Sequence, residues 1–411
     1  MRILIMTDSL NIPTGQGRVG RELAIGLQKR GHEIGYIGWW HGSNTSVKTP
    51  AGITYWGTNN EHYGSDILDR IVMIFQPDVV LTVGDFWRIG YIADTNRCRT
   101  RRLFQWCSYI PVDGEPKNGG LPPSIVPIVA DIDMPVAYTN YAKEAVLKSV
   151  NDQETRNRLR VIYHGVDTNV FKPMNPSDRL RAREAAGIGD KFVFLTVCRN
   201  QSRKNIPEMF SAWDKFSQIP EVAGNVMFWP HMNFKDPNGW DIDDLMTVHQ
   251  MRNQSIMYYH SMAYGPSSHD LVQERDLAKL YGMADAFLLI SGEGFGLPIL
   301  EAMATGLPCI LLDHSAPAEL GADGRAELVP WSDHVTWTGG HLTKRPVPRV
   351  EDIVEAMKRI YMNRRHATKI ADKGREFASR YTWDAALNEW NALFLEHEIP
   401  FLKPLKLEVV I

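Results

Sequence analysis

The sequence predicts an α/β protein made of two doubly wound, parallel-sheet domains. Its 411 residues are too many for one common domain and suit two of about 200. Short apolar runs alternate with amphipathic segments through both halves, the pattern of parallel strands with covering helices. Hydrophobic content of 44% with 23% charged residues describes an ordinary globular chain with ample core.

In the first half, Arg2 to Asp8 reads as a strand, Gly20 to Arg30 as a helix with Leu23, Ile25 and Leu27 among its apolar positions, and Glu33 to Trp40 as a second strand. Pro77 to Asp85, Leu103 to Ile110, Pro135 to Thr139 and Arg160 to Tyr163 supply further strands. In such sheets the ligand crevice lies at the carboxyl ends of the strands, so the loops there are the places to look. The loop Pro13-Thr14-Gly15-Gln16-Gly17-Arg18 opens a helix. Its Gly15 and Gly17 amides either meet a phosphate or sugar, with Arg18 adding charge, or serve a tight turn. Asp85 ends its strand and is a candidate for the acceptor side, weaker than those below. Arg97, Arg99, Arg101 and Arg102 form a basic run, which is a solvated face more often than a seat for a phosphate-bearing acceptor. Trp39, Trp40 and Trp87 serve core packing first and sugar or base stacking second.

The hinge is expected around Val161 to Pro173, and a charged helix, Asp178 to Ala186, follows. The strand Lys191 to Cys198 runs into Arg199-Asn200-Gln201-Ser202-Arg203-Lys204-Asn205. Arg199 offers a planar fork and Lys204 a point charge at a strand end, an arrangement that suits a diphosphate or else a solvated loop; Arg203 reads as an adjacent surface charge. After a strand at Asn225 to Pro230, the stretch to about residue 270 carries no legible element.

The most informative stretch is Ser291 to Pro308. The apolar run Ala286 to Ile290 enters a glycine loop, Pro298 stands in a first helical turn, and Gly306 and Pro308 end the helix before the strand Cys309 to Asp313. Gly294 and Gly296 let the backbone approach a ligand, and the N–H groups of Phe295, Gly296 and Leu297 point outward at the positive end of the helix, an anion seat. Glu293 in the loop and Glu301 one turn into the helix flank that seat, and carboxylates suit vicinal hydroxyls.

Glu293 and Glu301 stand within Glu-Gly-Phe-Gly-Leu-Pro-x-x-Glu-Ala-Met-Ala-x-Gly-x-Pro, which resembles the E-x7-E signature of glycosyltransferase family 4, the retaining, nucleotide-sugar-dependent enzymes of the GT-B fold. The resemblance implies two Rossmann-like domains facing across a cleft: 1–170 on the acceptor side, 171–378 binding the donor, and 379–411 as a helix crossing back onto the first. It implies that a UDP- or GDP-sugar places its diphosphate between Arg199, Lys204 and the amides after Glu293, its ribose on Glu301 and its hexose on Glu293. Transfer to a hydroxyl acceptor then proceeds with retention, with the departing phosphate taking the acceptor proton and domain closure excluding water. Three departures stand out. Gln16 separates glycines that are usually adjacent in the family. The loop Tyr109 to Pro116 lacks the family's histidine, so Asp113 either takes its place at a sugar hydroxyl or caps a turn. His164 replaces an asparagine of the linker and reads as a linker residue first. The segment His314 to Leu320 resembles another family segment with its glycines replaced, and Glu319 there reads as structural.

No His/Cys cluster is evident, and neither metal nor cofactor is expected beyond the donor itself. A net charge of −3 gives no global pull toward nucleic acid or anionic membrane. The four cysteines lack CxxC spacing and read as buried thiols, the N-terminus does not read as a signal peptide, and no apolar run approaches a membrane span; a cytoplasmic location is expected, with peripheral membrane contact still compatible. A glycan, a glycoconjugate and a small metabolite are the expected acceptors, with hydroxymethylated DNA bases an alternative that the charge disfavours. A nucleotide-sugar epimerase or a silent sugar-binding scaffold explains the diphosphate seat equally well, whereas a glycosidase leaves Arg199 and Lys204 without a role.

Overall fold

Apolar runs flanked by turns form the strands β1 (Arg2–Asp8), β2 (Glu33–Trp39), β3 (Ser46–Lys48), β4 (Thr54–Gly57), β5 (Val79–Val83), β6 (Gln105–Ile110), β7 (Met134–Ala137) and β8 (Arg160–Val161). They pair in the order β3-β4-β2-β1-β5-β6-β7-β8, parallel throughout except for β3, which runs antiparallel to β4. A second parallel sheet joins β9 (Phe192–Val197), β10 (Val226–His231), β11 (Ala286–Leu289), β12 (Cys309–Leu312) and β13 (Glu327–Val329) in the order β10-β9-β11-β12-β13. An antiparallel hairpin of β14 (Trp331–Thr336) and β15 (Lys344–Pro348) follows. The computed structural model describes residues 1–12, 14–39, 46–49, 51–58, 62–249, 274–336 and 343–397. Pro13, Trp40 and the later part of the stretch running to residue 270 lie outside the described residues.

Both sheets are covered on two faces, which explains the uninterrupted apolar strands. Ile3 and Ile5 of β1 pack with Leu23 and Leu27 of the helix Gly15–Lys29, while Leu4 and Met6 face Ile71 and Phe75 on the other side. The first helix begins earlier than Gly20 because the Thr14 hydroxyl accepts from the Gly17 amide and caps it. β3, β4 and the β14–β15 hairpin are elements that the alternation in the sequence did not reveal.

Contacts away from the cleft also join the domains. The helix Trp383–Glu396 lies against the first helix, with Arg30 Nη2 2.6 Å from Asp384 Oδ1 and His32 Nε2 2.9 Å from Asn391 Oδ1. A Cβ at Gly26 would fall 2.2 Å from Leu387, so the two helices meet where only glycine fits. The linker is sewn to the returning chain by Val166 N–H donating to the Tyr381 carbonyl at 2.9 Å, and His164 lies among the rings of Tyr109, Tyr138, Phe295 and Trp383. Finally, Glu319 of the second domain caps the helix Asn140–Ser149 of the first: its carboxylate accepts from Asn140 N at 2.9 Å, Tyr141 N at 2.7 Å and the Tyr163 hydroxyl.

Candidate functional site

The carboxyl end of β11 delivers the glycine loop to the first domain. A Cβ on Gly292 would lie 2.9 Å from the Asp113 carbonyl, and one on Gly294 would lie 3.2 Å from Pro111. Close approach of two loops therefore excludes a side chain at Gly292 and crowds one at Gly294. Gly296 takes a left-handed conformation at φ +94° and starts the helix Leu297–Thr305, with Pro298 in its first turn and no side chain capping it. Pro298 has no N–H, and the Ile299 and Leu300 amides donate to the Gly296 carbonyl, so the Leu297 amide is the one at this helix start that turns to another acceptor.

Beside this helix end sits a cluster of alternating charge. The Lys204 ammonium contacts Glu293 Oε1, which also accepts from the Ser291 hydroxyl, and Arg203 Nη2 stands 3.9 Å from Glu293 Oε2. Arg203 Nη1 lies 3.5 Å from Asp113 Oδ2 and donates to the Gly292 carbonyl at 2.9 Å. Arg345, from β15, reaches across to Asp113 Oδ1 at 2.7 Å. Burial on its own would raise the Glu293 carboxyl, but the charges of Lys204 and Arg203 outweigh it and hold it below the ordinary range. Asp113 is lowered in the same way, against its burial, by Arg203 and Arg345. Burial, then the neighbouring Arg203, lowers Lys204, and Glu293 opposes both.

Local structure explains why these cations converge. Asn200, fully buried, donates to the Asn233 and Trp240 carbonyls at 3.0 and 2.6 Å and pins the loop after β9. A single turn over Ser202–Lys204, followed by Asn205 at φ +48°, then folds Arg203 and Lys204 back toward Glu293.

Glu301 is 2% exposed and has both oxygens engaged. Arg18 from the first helix pairs with Oε1, and the Tyr281 hydroxyl donates to Oε2 at 2.8 Å. Arg18 Nε is also 3.1 Å from Glu274, and its guanidinium carbon lies 5.2 Å from the Phe171 ring centroid. Arg18 therefore reaches Glu301 in the opposite domain, beyond its own loop.

Several expected site residues stand elsewhere. Arg199, 48% exposed, forks onto the buried carboxylate of Asp236 at 2.8 and 3.3 Å. Arg203 is the second cation at Glu293, where the sequence suggested a surface charge. The Gly17 amide, expected to meet a ligand, is spent on Thr14, and a Cβ there would lie 2.7 Å from the Ile12 carbonyl. Gly15 is exposed and faces Leu297 across the cleft, 3.9 Å from where its Cβ would be. Asp113 is held between two arginines, which makes it a positioning group for Arg203 in this structure. In the basic run, Arg101 is buried against Asp131 and Asp133 at 2.9 and 3.1 Å, at the amino edge of the sheet and away from the crevice. Arg345 and Tyr281 had no signal in the sequence: each reaches the site only through tertiary packing.

The family model for glycosyl transferases group 1 matches residues 262–363, which include the glycine loop and both glutamates. The whole architecture resembles sucrose-phosphate synthase from Thermosynechococcus elongatus, with a TM-score of 0.74 at 16% identity over 96% of this chain and 98% of that one. It resembles Anabaena HepE in complex with UDP and glucose at a TM-score of 0.69 and 17% identity, over 97% of this chain and 100% of the other. The fold is GT-B. In sequence, the sulfoquinovosyl transferase of Arabidopsis thaliana is 26% identical over 231 residues, covering 56% of this chain and 38% of that protein. The chain spans well under two thirds of the length of the curated relatives it matches. In a GT-B arrangement the loop after β11 and the loops after β1, β5 and β6 line one cleft, where the charge cluster lies. Among the described residues, no helix is long and apolar enough to cross a membrane.

Proposed function

We propose that this chain is a retaining glycosyltransferase of the family-4 type that moves a hexose from a UDP- or GDP-sugar to a hydroxyl acceptor. The observation that carries the reading is the convergence of Lys204 and Arg203 on Glu293 beside the uncapped start of the helix Leu297–Thr305. Two cations beside a helix start that no side chain caps suit a diphosphate, and the neighbouring carboxylate suits the hydroxyls of the sugar attached to it. In this reading Lys204 and Arg203 stabilise the charge that grows on the departing diphosphate, the principal catalytic lever in a reaction with an oxocarbenium-like centre. Glu293, held ionised by the same cations, orients the hexose. Glu301 accepts the ribose hydroxyls in exchange for its contact with Arg18. The departing phosphate takes the acceptor proton, so the carbon–oxygen bond to phosphate breaks as the bond to the acceptor oxygen forms on the same face. The chain's family match and its GT-B relatives, one of them in complex with UDP and glucose, support the donor class.

The test is thermal unfolding of the wild type, Lys204→Ala and Glu301→Ala with UDP, GDP and ADP. At about 100 times its dissociation constant, a ligand stabilises by roughly 2.7 kcal/mol. The expected result is a rise for one base in the wild type that both variants lose. No rise with any of the three nucleotides overturns the reading.

A further inference from the structure

A second group of side chains meets at the carboxyl ends of the first sheet. Asp8 ends β1, Trp39 ends β2, Asp85 stands two residues beyond β5 and Tyr138 directly follows β7. The turn Phe86–Ile89 adds Trp87 and Arg88. Arg88 Nη1 donates to Asp8 Oδ1 and Gln16 Oε1, both at 3.0 Å. Its guanidinium carbon lies 5.4, 5.3 and 4.8 Å from the ring centroids of Trp39, Tyr63 and Trp87. Tyr63 meets Trp39 and Trp87 edge-on, and Trp87 keeps 50% of its surface exposed.

This arrangement leaves polar groups waiting. The Tyr138 hydroxyl, the Trp39 indole N–H and the Arg88 Nε–H are buried and make no hydrogen bond. Buried donors are nearly always paired, so these three mark a region shaped for something else. The Asp85 carboxylate does not cap its own helical turn. Burial raises its carboxyl, Asp113 and Asp8 act with the burial, and Arg88 and Arg203 act against it, so the group shares its field with the charges around Glu293. Burial, then Asp85 and Asp8, raise the Tyr138 hydroxyl and keep it a donor.

The charge balance limits the ligand. Among the described residues, Arg88 is already matched by Asp8, which leaves Asp85 as the surplus in the group, so a phosphate entering here meets an anion. A neutral polyol fits every feature: its hydroxyls accept from Tyr138 and donate to Asp85, and its C–H face lies on the exposed indole of Trp87.

We infer that this cluster is the acceptor subsite and that it takes an uncharged sugar unit, stacked on Trp87 and bonded to Asp85 and Tyr138. The inference rests on the proposed glycosyl transfer. Its test keeps the two apart, because donor binding is read separately by calorimetry with UDP and GDP. Saturation-transfer NMR is recorded with methyl α-glucoside and methyl α-mannoside, and with glucose 6-phosphate and mannose 6-phosphate, on the wild type, Trp87→Ala and Asp85→Asn. The expected result is transfer to a neutral glycoside that weakens about tenfold in both variants, with nucleotide affinity unchanged. Tighter binding of the sugar phosphates, no binding of either neutral glycoside, or undiminished binding in both variants each overturns the inference. Loss of nucleotide binding in the wild type overturns the donor reading instead.

Discussion

Arg18 Nη1 and Glu301 Oε1 form an ion pair across the two domains, 283 residues apart in sequence, with side chains only 11% and 3% exposed. Removing one member of a buried pair leaves the other charge uncompensated, at a cost of about 3–5 kcal/mol. Arg18→Met is expected to lose stability of that order in urea unfolding, and Arg18→Met combined with Glu301→Leu to recover part of it. Losses that simply add would show that the pair is not coupled.

Lys204 and Arg203 share the same acid, and Arg199 does not. Charge-assisted hydrogen bonds contribute about 1.5–3 kcal/mol each, so Lys204→Met and Arg203→Met should each weaken UDP or GDP binding by roughly 10- to 100-fold. Arg199→Met should stay within about twofold, since its guanidinium is turned to Asp236. Calorimetry separates the three, and an Arg199→Met loss as large as that of Lys204→Met would refute the assignment.

His164 is buried among aromatic rings, and burial, then the charge of Arg18, lowers its pKa to about 3. The unfolded chain takes up this proton near 6.5, the folded one only near 3. Stability from this group is therefore fully present above pH 6.5 and falls as the pH drops, by up to about 1.4 kcal/mol per unit between the two values. Denaturant unfolding between neutral and mildly acid pH should show a shallower decline for His164→Asn than for the wild type. Parallel declines would mean that the imidazole is already solvated.

Glu319 satisfies the first two amides of a helix in the other domain. Glu319→Ala should cost about 1–2 kcal/mol, as loss of a helix cap does, while Glu319→Gln retains one acceptor and loses less. Hydrogen exchange of the Asn140 and Tyr141 amides reports the change directly. Unaltered protection in Glu319→Ala would exclude the cap.

The loop Ser291 to Leu297 and its helix were legible because strand, glycines, proline and helix stop are local signals that agree with one another. Arg203 was not, because its direction depends on a single turn and on Asn205 in a left-handed conformation, neither of which spacing encodes. Arg345 was hidden for a different reason: it meets Asp113 from 232 residues away, on a hairpin whose partner is the other domain. Glu301 was seen as a carboxylate near a ligand, but its pairing with Arg18 and Tyr281 is a product of domain packing alone. Leu387 of the helix Trp383–Glu396 lies against Gly26 of the first helix.

That contact sets an order of events during synthesis. The first sheet is made before the partners of its first helix: the surface around Gly26, Arg30 and His32 meets Leu387, Asp384, Asn388 and Asn391, more than 350 residues later. Until residues 384–391 have been made, the first helix presents an uncovered seam, and the step that seals it also joins the two domains.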